Sequence, residues 1–248
     1  MLIEICAYSL TSCLTAQQAG AGRIELCGGL PEGGTTPSAG LIQLARKQLH
    51  IPMYVMIRPR GGDFLYSDHE LDVMKADIQM AKSLGADGLV LGLLNADGTI
   101  DEEQTRHLIE LASPLPVTFH RAFDMTRDPL EALEAVIRTG AERILTSGQQ
   151  STAEQGIDLL RQLTQQAAGR IEIMAGVNAR NATRLIEAGV DALHLSGGQK
   201  KDSLMHYRQP SVSMASAIPG EYEHIEANSE KIQAIIQITE LQNNSPVA

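Results

Sequence analysis

Two short stretches near the N-terminus nearly repeat each other, Ile3-Glu4-Ile5-Cys6 and Ile24-Glu25-Leu26-Cys27. Alternate side chains of a β-strand share a face, so each stretch predicts a strand with one apolar side and one side that carries a glutamate and a cysteine. Neighbouring strands of a parallel sheet lie about 4.8 Å apart. If these two strands are neighbours, their sulfur atoms lie side by side at the C-terminal ends of the strands.

A weak repeat extends this pattern along the chain, because a helical segment that ends in glycine is followed again and again by a short apolar run, as at Gly85 and Gly189. Glycine is favoured just past a helix end because it adopts the left-handed conformation without a Cβ clash. Eight strands are predicted, over residues 2–6, 23–27, 52–58, 87–92, 116–120, 143–147, 170–175 and 191–196. Helical patterns cover residues 12–19, 38–48, 69–84, 101–111, 128–138, 153–167 and 179–187, and a last helix follows Asn228. This alternation predicts an α/β fold, a (β/α)8 barrel.

The length of 248 residues suits one domain of this kind. We expect the barrel domain to cover residues 1–242, including a long irregular loop at 197–227 that is rich in Gly, Ser, Pro and Met. Such a loop is typical of a lid, a binding loop or a partner contact. Residues 243–248 are expected to form a frayed C-terminal tail.

Composition excludes several classes of partner. The net charge is −10 with only 20 Lys and Arg, whereas nucleic acids and anionic membrane surfaces require basic patches. Aromatic residues make up 3% of the chain and Trp is absent, so a stacking platform for bases is not expected. The N-terminus shows neither a signal peptide nor an apolar anchor, which predicts a cytoplasmic location. In a reducing compartment the three cysteines should be free thiols, core residues or ligands.

The pair Cys6 and Cys27 is the sharpest candidate for chemistry, since barrels place functional groups at the C-terminal ends of their strands. Soft thiolates select Cu(I) or zinc, and two sulfurs that share a metal need a separation of roughly twice a ~2.3 Å bond. Zinc prefers four ligands, and the CxxC spacing typical of zinc sites is absent, although Cys13 could add a third sulfur. Cu(I) therefore fits better. The alternative is that both cysteines are small buried hydrophobes.

Charged side chains near the other strand ends suggest a second kind of site. Arg58 and Arg60 follow strand three, and a guanidinium can hold a carboxylate or phosphate through two hydrogen bonds. The alternative for Arg58 is an internal ion pair with Glu25 or Asp63. His120, at the end of strand five, could act as a general acid or base or as a nitrogen ligand, and Asp124, which follows it closely, is a further candidate. His194 lies between two leucines and is expected to be a hydrogen-bonded core histidine.

Several motifs together resemble the CutC copper-homeostasis family: Arg23-Ile-Glu-Leu-Cys27, Glu32-Gly-Gly-Thr-Thr-Pro-Ser38, Met56-Ile-Arg-Pro-Arg-Gly-Gly-Asp-Phe64, Phe119-His-Arg-Ala-Phe-Asp124 and Leu145-Thr-Ser-Gly148. The likeness extends to about residue 215. It implies a TIM barrel, a cytoplasmic location, a homodimer or higher homo-oligomer, and a role in copper tolerance through Cu(I) binding. Cysteines that match Cys6 and Cys27 are the ligands proposed in that family. One departure is Gly176-Val177-Asn178, where the family usually has a glycine-rich run.

Three hypotheses follow for function. The first is Cu(I) binding by Cys6 and Cys27, with Arg58 offsetting the charge of Glu25, which would otherwise raise the pKa of the thiols. The second is an enzyme that acts on a small phosphate- or carboxylate-bearing metabolite, with Arg58 and Arg60 as the clamp and His120 or Glu25 as the proton carrier. The third is a stable assembly whose thiols only pack and whose link to copper is indirect.

Overall fold

The computed structural model describes residues 1–212, 214 and 220–243. Eight parallel strands close into a barrel in chain order: β1 (Leu2–Ala7), β2 (Arg23–Leu26), β3 (Met53–Met56), β4 (Gly88–Leu91), β5 (Val117–Phe119), β6 (Arg143–Thr146), β7 (Glu172–Gly176) and β8 (Ala192–Leu195). The helices are α1 (Leu10–Gln18), α2 (Ala39–Gln48), α3 (Asp68–Ser83), α4 (Glu102–Ala112), α5 (Pro129–Thr139), α6 (Ile157–Ala167), α7 (Ala182–Glu187) and α8 (Ser229–Asn243). The predicted single-domain (β/α)8 barrel is confirmed.

Local sequence signals set the helix ends. The Ser67 hydroxyl accepts a hydrogen bond from the Glu70 N–H, and the Glu70 carboxylate accepts one from the Ser67 N–H, which forms a capping box at the start of α3. Helix α5 begins behind an Asp128 cap and ends at Gly140, whose φ of 86° favours glycine. Among the helices in the described ranges, none has the length and apolar character that crossing a bilayer requires.

The barrel strands separate an apolar core, which lies between the sheet and the helices, from the lumen inside the barrel, and the alternation in β1 illustrates this. Ile3 and Ile5 belong to the large core between the sheet and the helices, whereas Cys6 belongs to a small cluster inside the barrel. Full burial of one such isoleucine is worth about 1.5–3 kcal/mol. A slip of one residue would place Glu4 in the apolar layer, so the pattern fixes which side chains face the lumen.

The prediction that residues 197–227 are irregular throughout is wrong at both ends of the segment. Strand β9 (Gly198–Asp202) pairs antiparallel with β10 (Glu223–Ala227), and the Ala227 N–H donates to Ser12 Oγ on α1 at 3.1 Å. The charged residues of β9 masked the strand pattern in the sequence. Residues 213 and 215–219 of this segment, and residues 244–248 of the predicted tail, lie outside the described residues. The domain end at residue 242 stays a prediction.

Candidate metal centre in the barrel lumen

Barrel closure sets the position of Glu4. Its neighbours in register are Arg23 on β2 and His194 on β8. The fully buried Glu4 carboxylate accepts a hydrogen bond from Arg23 Nε at 2.6 Å and one from His194 Nδ1 at 2.8 Å. Burial alone would raise the pKa of Glu4, but the hydrogen bonds and charges of His194 and Arg23 hold it below its ordinary value. Glu4 is therefore an ionised, fully paired carboxylate.

The two strand-end sulfurs come together as the sequence suggests. Cys6 Sγ and Cys27 Sγ lie 3.7 Å apart, and Cys27 Sγ lies 3.6 Å from Glu25 Oε2. The sulfur–sulfur hydrogen bond holds the pKa of Cys6 well below its usual value, with His194 adding to the effect, and raises the pKa of Cys27 well above it. The surroundings therefore favour deprotonation of Cys6 over that of Cys27.

Glu25 lies between the sulfur pair and the imidazole. Its Oε2 is 3.8 Å from His194 Nε2, and its buried Oε1 has no hydrogen-bond partner in the part of the chain that the structure describes. Burial and the negative charge of Cys6 raise the pKa of Glu25 well above its ordinary value. The pKa of His194 would be lowered by burial, but the charge of Glu25 and the contacts with Cys6 and Glu4 raise it well above the usual value.

His194 is thus more than the core histidine that the sequence suggests. It is hydrogen-bonded, as expected, but it lies between two glutamates and 15% of its side chain is exposed. The signal in the sequence was the alternation Leu193-His194-Leu195, which puts the imidazole on the face opposite the leucines. The same rule applied to Arg23, two residues before Glu25, would have found the second lumen cation.

Arg58 does not pair with Glu25, and the prediction that it offsets this carboxylate is wrong. Its guanidinium donates to the carbonyl oxygens of Glu32 at 2.7 Å, Gly34 at 2.8 Å and Gly62 at 2.8 Å. Among the described residues no carboxylate oxygen lies within 4.0 Å of it, so the predicted alternative of a pair with Asp63 is wrong too. Three loop carbonyls fix Arg58: those of Glu32 and Gly34 come from the loop after β2, and that of Gly62 comes from the loop after β3.

Arg60 and Asp124, two further candidates for an enzyme site, are both held by other residues. Arg60 is bound by Asp63 and Glu70 at the surface, so a clamp made of Arg58 and Arg60 is not formed. Asp124 accepts hydrogen bonds from Arg121, Thr146 and the Ser147 and Gln149 N–H groups, which makes it the anchor of the loop after β6. These contacts occupy Arg60 and Asp124, two of the groups that the enzyme hypothesis would use.

His120 faces the mouth of the barrel as a neutral imidazole. Its Nδ1 accepts a hydrogen bond from the Ala122 N–H at 3.2 Å, so the proton lies on Nε2, which is buried without a partner among the described residues. Burial, together with the positive charge of Arg58, lowers the pKa of His120 to about 3. It can donate a hydrogen bond, but it is a weak base near neutral pH.

A cavity of about 100 Å³ opens above the sulfur pair and is lined by Cys6, Tyr8, Glu25, Arg58, His120 and His194 among others. A larger cavity of about 600 Å³ lies between the ends of β7 and β8 and helix α8. It does not include the thiols or the lumen carboxylates among its lining residues. The small cavity therefore gives access to the lumen chemistry, because Glu25 and Cys6 both line it, and Cys6 is the cysteine of the pair that faces it.

Two overlapping groups could hold a metal ion. In each group the ligand atoms lie within 4.8 Å of one another: Cys6, Glu25 and Cys27 in the outer group, and Glu4, Glu25 and His194 in the inner one. Cys13 is in neither group, since it packs on α1 against the outside of the barrel, so the expectation of a third sulfur from this residue is wrong for the residues that the structure describes. A donor set with two thiolates is suited to a soft ion.

Comparison with known proteins identifies the family of the chain. The family model described as CutC family matches residues 1–199. The chain belongs to the CutC family. Its mouse relative, named copper homeostasis protein cutC homolog, is 48% identical over 250 residues, which cover 100% of this chain and 89% of the mouse protein. The human relative of the same name is 51% identical over 220 residues, which cover 88% of this chain and 81% of the human protein.

Solved structures place the CutC barrel among related folds. The crystal structure of CutC from Streptococcus agalactiae superposes with a TM-score of 0.75 at 39% identity, and it covers 79% of this chain and 98% of that one. An aldolase, QR15, superposes with a TM-score of 0.59 at 17% identity and covers 79% of this chain and 89% of its own. The likeness to the aldolase shows the shared barrel fold alone.

Proposed function

We propose that this CutC protein binds Cu(I) through the thiolates of Cys6 and Cys27 and acts in copper homeostasis in the cytoplasm. The observation that carries the proposal is the distance of 3.7 Å between Cys6 Sγ and Cys27 Sγ. Cys6 lines the cavity of about 100 Å³ at the mouth of the barrel, here called the mouth cavity. Two curated relatives are named copper homeostasis proteins. The three free cysteines agree with a reducing compartment.

The surroundings of the pair suit a singly charged soft ion. Two thiolates and one Cu(I) carry a net charge of about −1, which is costly to bury without a compensating cation. His194 supplies that cation, because its imidazole contacts Glu4 and faces Glu25 beside the sulfurs. The counter-charge comes from β8 and not from the loop after β3.

An anaerobic titration with Cu(I) tests the proposal. We expect near-stoichiometric binding by the wild type in competition with a chromogenic Cu(I) chelator. The double variant Cys6→Ser, Cys27→Ser should lose it, whereas Cys13→Ser, which changes the remaining thiol outside the lumen, should bind like the wild type. Equal binding by the double variant would refute the proposal and would support the hypothesis that the thiols only pack.

One observation favours a second function, the binding of a small anionic metabolite by an enzyme. Arg58 is 6% exposed, lines the mouth cavity and has no carboxylate partner among the described residues. A buried guanidinium without a counter-ion is costly, and a carboxylate or phosphate ligand would supply the missing charge. Glu25, whose pKa is raised, would then lie beside the ligand as proton donor, and His120 could donate a hydrogen bond to it.

A thermal-shift screen of phosphorylated sugars and small carboxylates tests this second function. Stabilisation that Arg58→Gln abolishes and Arg60→Gln preserves would support an anionic substrate at the mouth. The absence of any stabilising compound, or equal loss in both variants, would argue against it.

We also propose that the chain forms a homodimer or higher homo-oligomer. Large apolar side chains are exposed between β9 and β10, where Leu204 is 95% and Met214 is 87% exposed. Apolar groups grouped in this way are typical of protein contacts. Sedimentation analysis should show an assembly that Leu204→Ser weakens, and a wild-type monomer at all concentrations would contradict the proposal.

A further inference from the structure

A third sulfur atom lies beside the cysteine pair at the end of β3. Strands β2 and β3 pair Leu26 with Val55, so the next residues along each strand, Cys27 and Met56, are neighbours. The side chains of Cys6, Cys27 and Met56 belong to one buried cluster inside the barrel, and Met56 is 4% exposed. Three adjacent strands therefore each supply one sulfur to the same side of the lumen.

The separation of the cysteine sulfurs leaves a need for another donor. A linear bis-thiolate ion would hold its sulfurs about 4.6 Å apart, twice a bond of ~2.3 Å. The observed distance between Cys6 Sγ and Cys27 Sγ is 3.7 Å. If both sulfurs kept this spacing around a bound ion, the S–Cu–S angle would be well below 180°, and one side of the ion would be open to a third ligand.

The oxygen and nitrogen groups nearby are poor choices for this third position. Glu25 offers a hard carboxylate oxygen, whereas Cu(I) prefers thiolate and thioether sulfur. His194 is held by Glu4 through Nδ1, and its Nε2 is directed toward Glu25 Oε2 at 3.8 Å. His194 also falls outside the group in which both cysteine sulfurs lie. A soft neutral donor meets the need better than either residue.

Met56 is within reach of that position. A Cβ atom built on Gly34 would lie 3.4 Å from Cys27 Sγ and 3.5 Å from Met56 Cε, so both side chains border the same small space. Gly34 has a φ of 103°, which favours glycine, and the missing side chain keeps this space open. Methionine has three rotatable side-chain bonds, so its sulfur can turn toward an ion. Met56 also lines the mouth cavity together with Cys6.

We propose that Met56 Sδ is the third ligand of the Cu(I) ion held by Cys6 and Cys27, which makes the site a three-sulfur centre built from β1, β2 and β3. This inference rests on the proposed Cu(I) function. A neutral thioether adds no negative charge, so the balance between the two thiolates, the ion and His194 is unchanged. The oxidation state of copper stays at +1 throughout, and no bond within the protein is broken.

X-ray absorption at the copper edge tests the proposal with Met56→Leu, a volume-conserving change that cores tolerate. Met174→Leu is the matched control, because Met174 is fully buried in the lumen but contacts Arg23 at 3.8 Å, away from the sulfur cluster. We expect three sulfur neighbours around copper in the wild type and in Met174→Leu, and two in Met56→Leu. Loss of even an outer-shell partner of a metal weakens binding about 10- to 100-fold, so Met56→Leu should lose at least about 10-fold in Cu(I) affinity.

A second measurement does not depend on how a variant folds. In protein labelled with selenomethionine, absorption at the selenium edge should show a copper neighbour that disappears on addition of a strong Cu(I) chelator. Three-sulfur coordination and unchanged affinity in Met56→Leu, or selenium without a copper neighbour in the loaded protein, would overturn the inference. Either result leaves Cu(I) binding by the cysteines intact, which the cysteine double variant tests separately.

Discussion

Glu4 and Glu25 face the same lumen from adjacent strands, yet they should respond in opposite ways to replacement by glutamine. Glu4 accepts hydrogen bonds from Arg23 and His194, and removing one partner of a buried ion pair typically costs about 3–5 kcal/mol. Glu4→Gln should therefore destabilise the fold by about this amount near pH 8. Because the pKa of Glu4 is lowered by folding, its contribution is present above the unfolded pKa of about 4.3 and is lost as the pH falls.

The contribution of Glu25 to stability depends on pH in the opposite direction. Its pKa is raised by folding, so the wild type is penalised as the pH rises from about 4.3 through the folded pKa, and Glu25→Gln removes this penalty. Glutamine keeps the buried oxygen that lacks a partner among the described residues, so the variant removes the charge and leaves that cost in place. A pKa raised by one unit corresponds to about 1.4 kcal/mol, so we expect Glu25→Gln to stabilise the metal-free protein by at least about this amount at pH 8 and to be nearly neutral near pH 4.

Urea unfolding of the metal-free, reduced protein at both pH values measures these differences, provided that the m-values agree among the variants. The contrast in sign is the decisive result, because any general loosening of the lumen would destabilise both variants. Equal destabilisation by Glu4→Gln and Glu25→Gln at pH 8 would refute the assignment of one carboxylate whose pKa is lowered by folding and one whose pKa is raised.

Three further predictions concern packing, capping and proton release. Gly88→Ala should cost about 1–3 kcal/mol in urea unfolding, because its Cβ would lie 2.4 Å from the Tyr54 ring, and an unchanged midpoint would contradict the close approach. Ser67→Ala should cost about 0.5–2 kcal/mol through loss of the α3 capping box, and a loss no larger than that of an exposed helix substitution would count against the cap. Because the pKa of Cys27 is raised, Cu(I) binding should release a proton and weaken by about tenfold per unit of falling pH, and a pH-independent affinity would contradict this proton release.

Much of the barrel could be predicted from the sequence because its signals are local. Alternation within the strands and the glycines that follow the helices located all eight barrel strands, and the capping signal at Ser67 located α3. The sequence missed β9 because its polar residues pair with β10 across a long loop and carry no apolar alternation.

The lumen was harder to predict because its contacts join strands that are distant along the chain. The sulfur pair could be inferred from two similar strands that follow each other. The contact between Glu4 and His194 depends on barrel closure, which joins residues 190 positions apart. Proximity across the sheet predicts a pair of Arg58 with Glu25, but carbonyl groups of the loops after β2 and β3 surround its guanidinium, and no sequence pattern indicates the paths of these loops.

Diffraction from crystals loaded anaerobically with Cu(I), recorded on both sides of the copper absorption edge, tests the central claim most directly. We expect a single strong anomalous peak inside the barrel, from a copper ion bonded to both Cys6 Sγ and Cys27 Sγ. Copper bound only at surface residues, or a sulfur pair still at 3.7 Å with no anomalous density beside it, would contradict the claim.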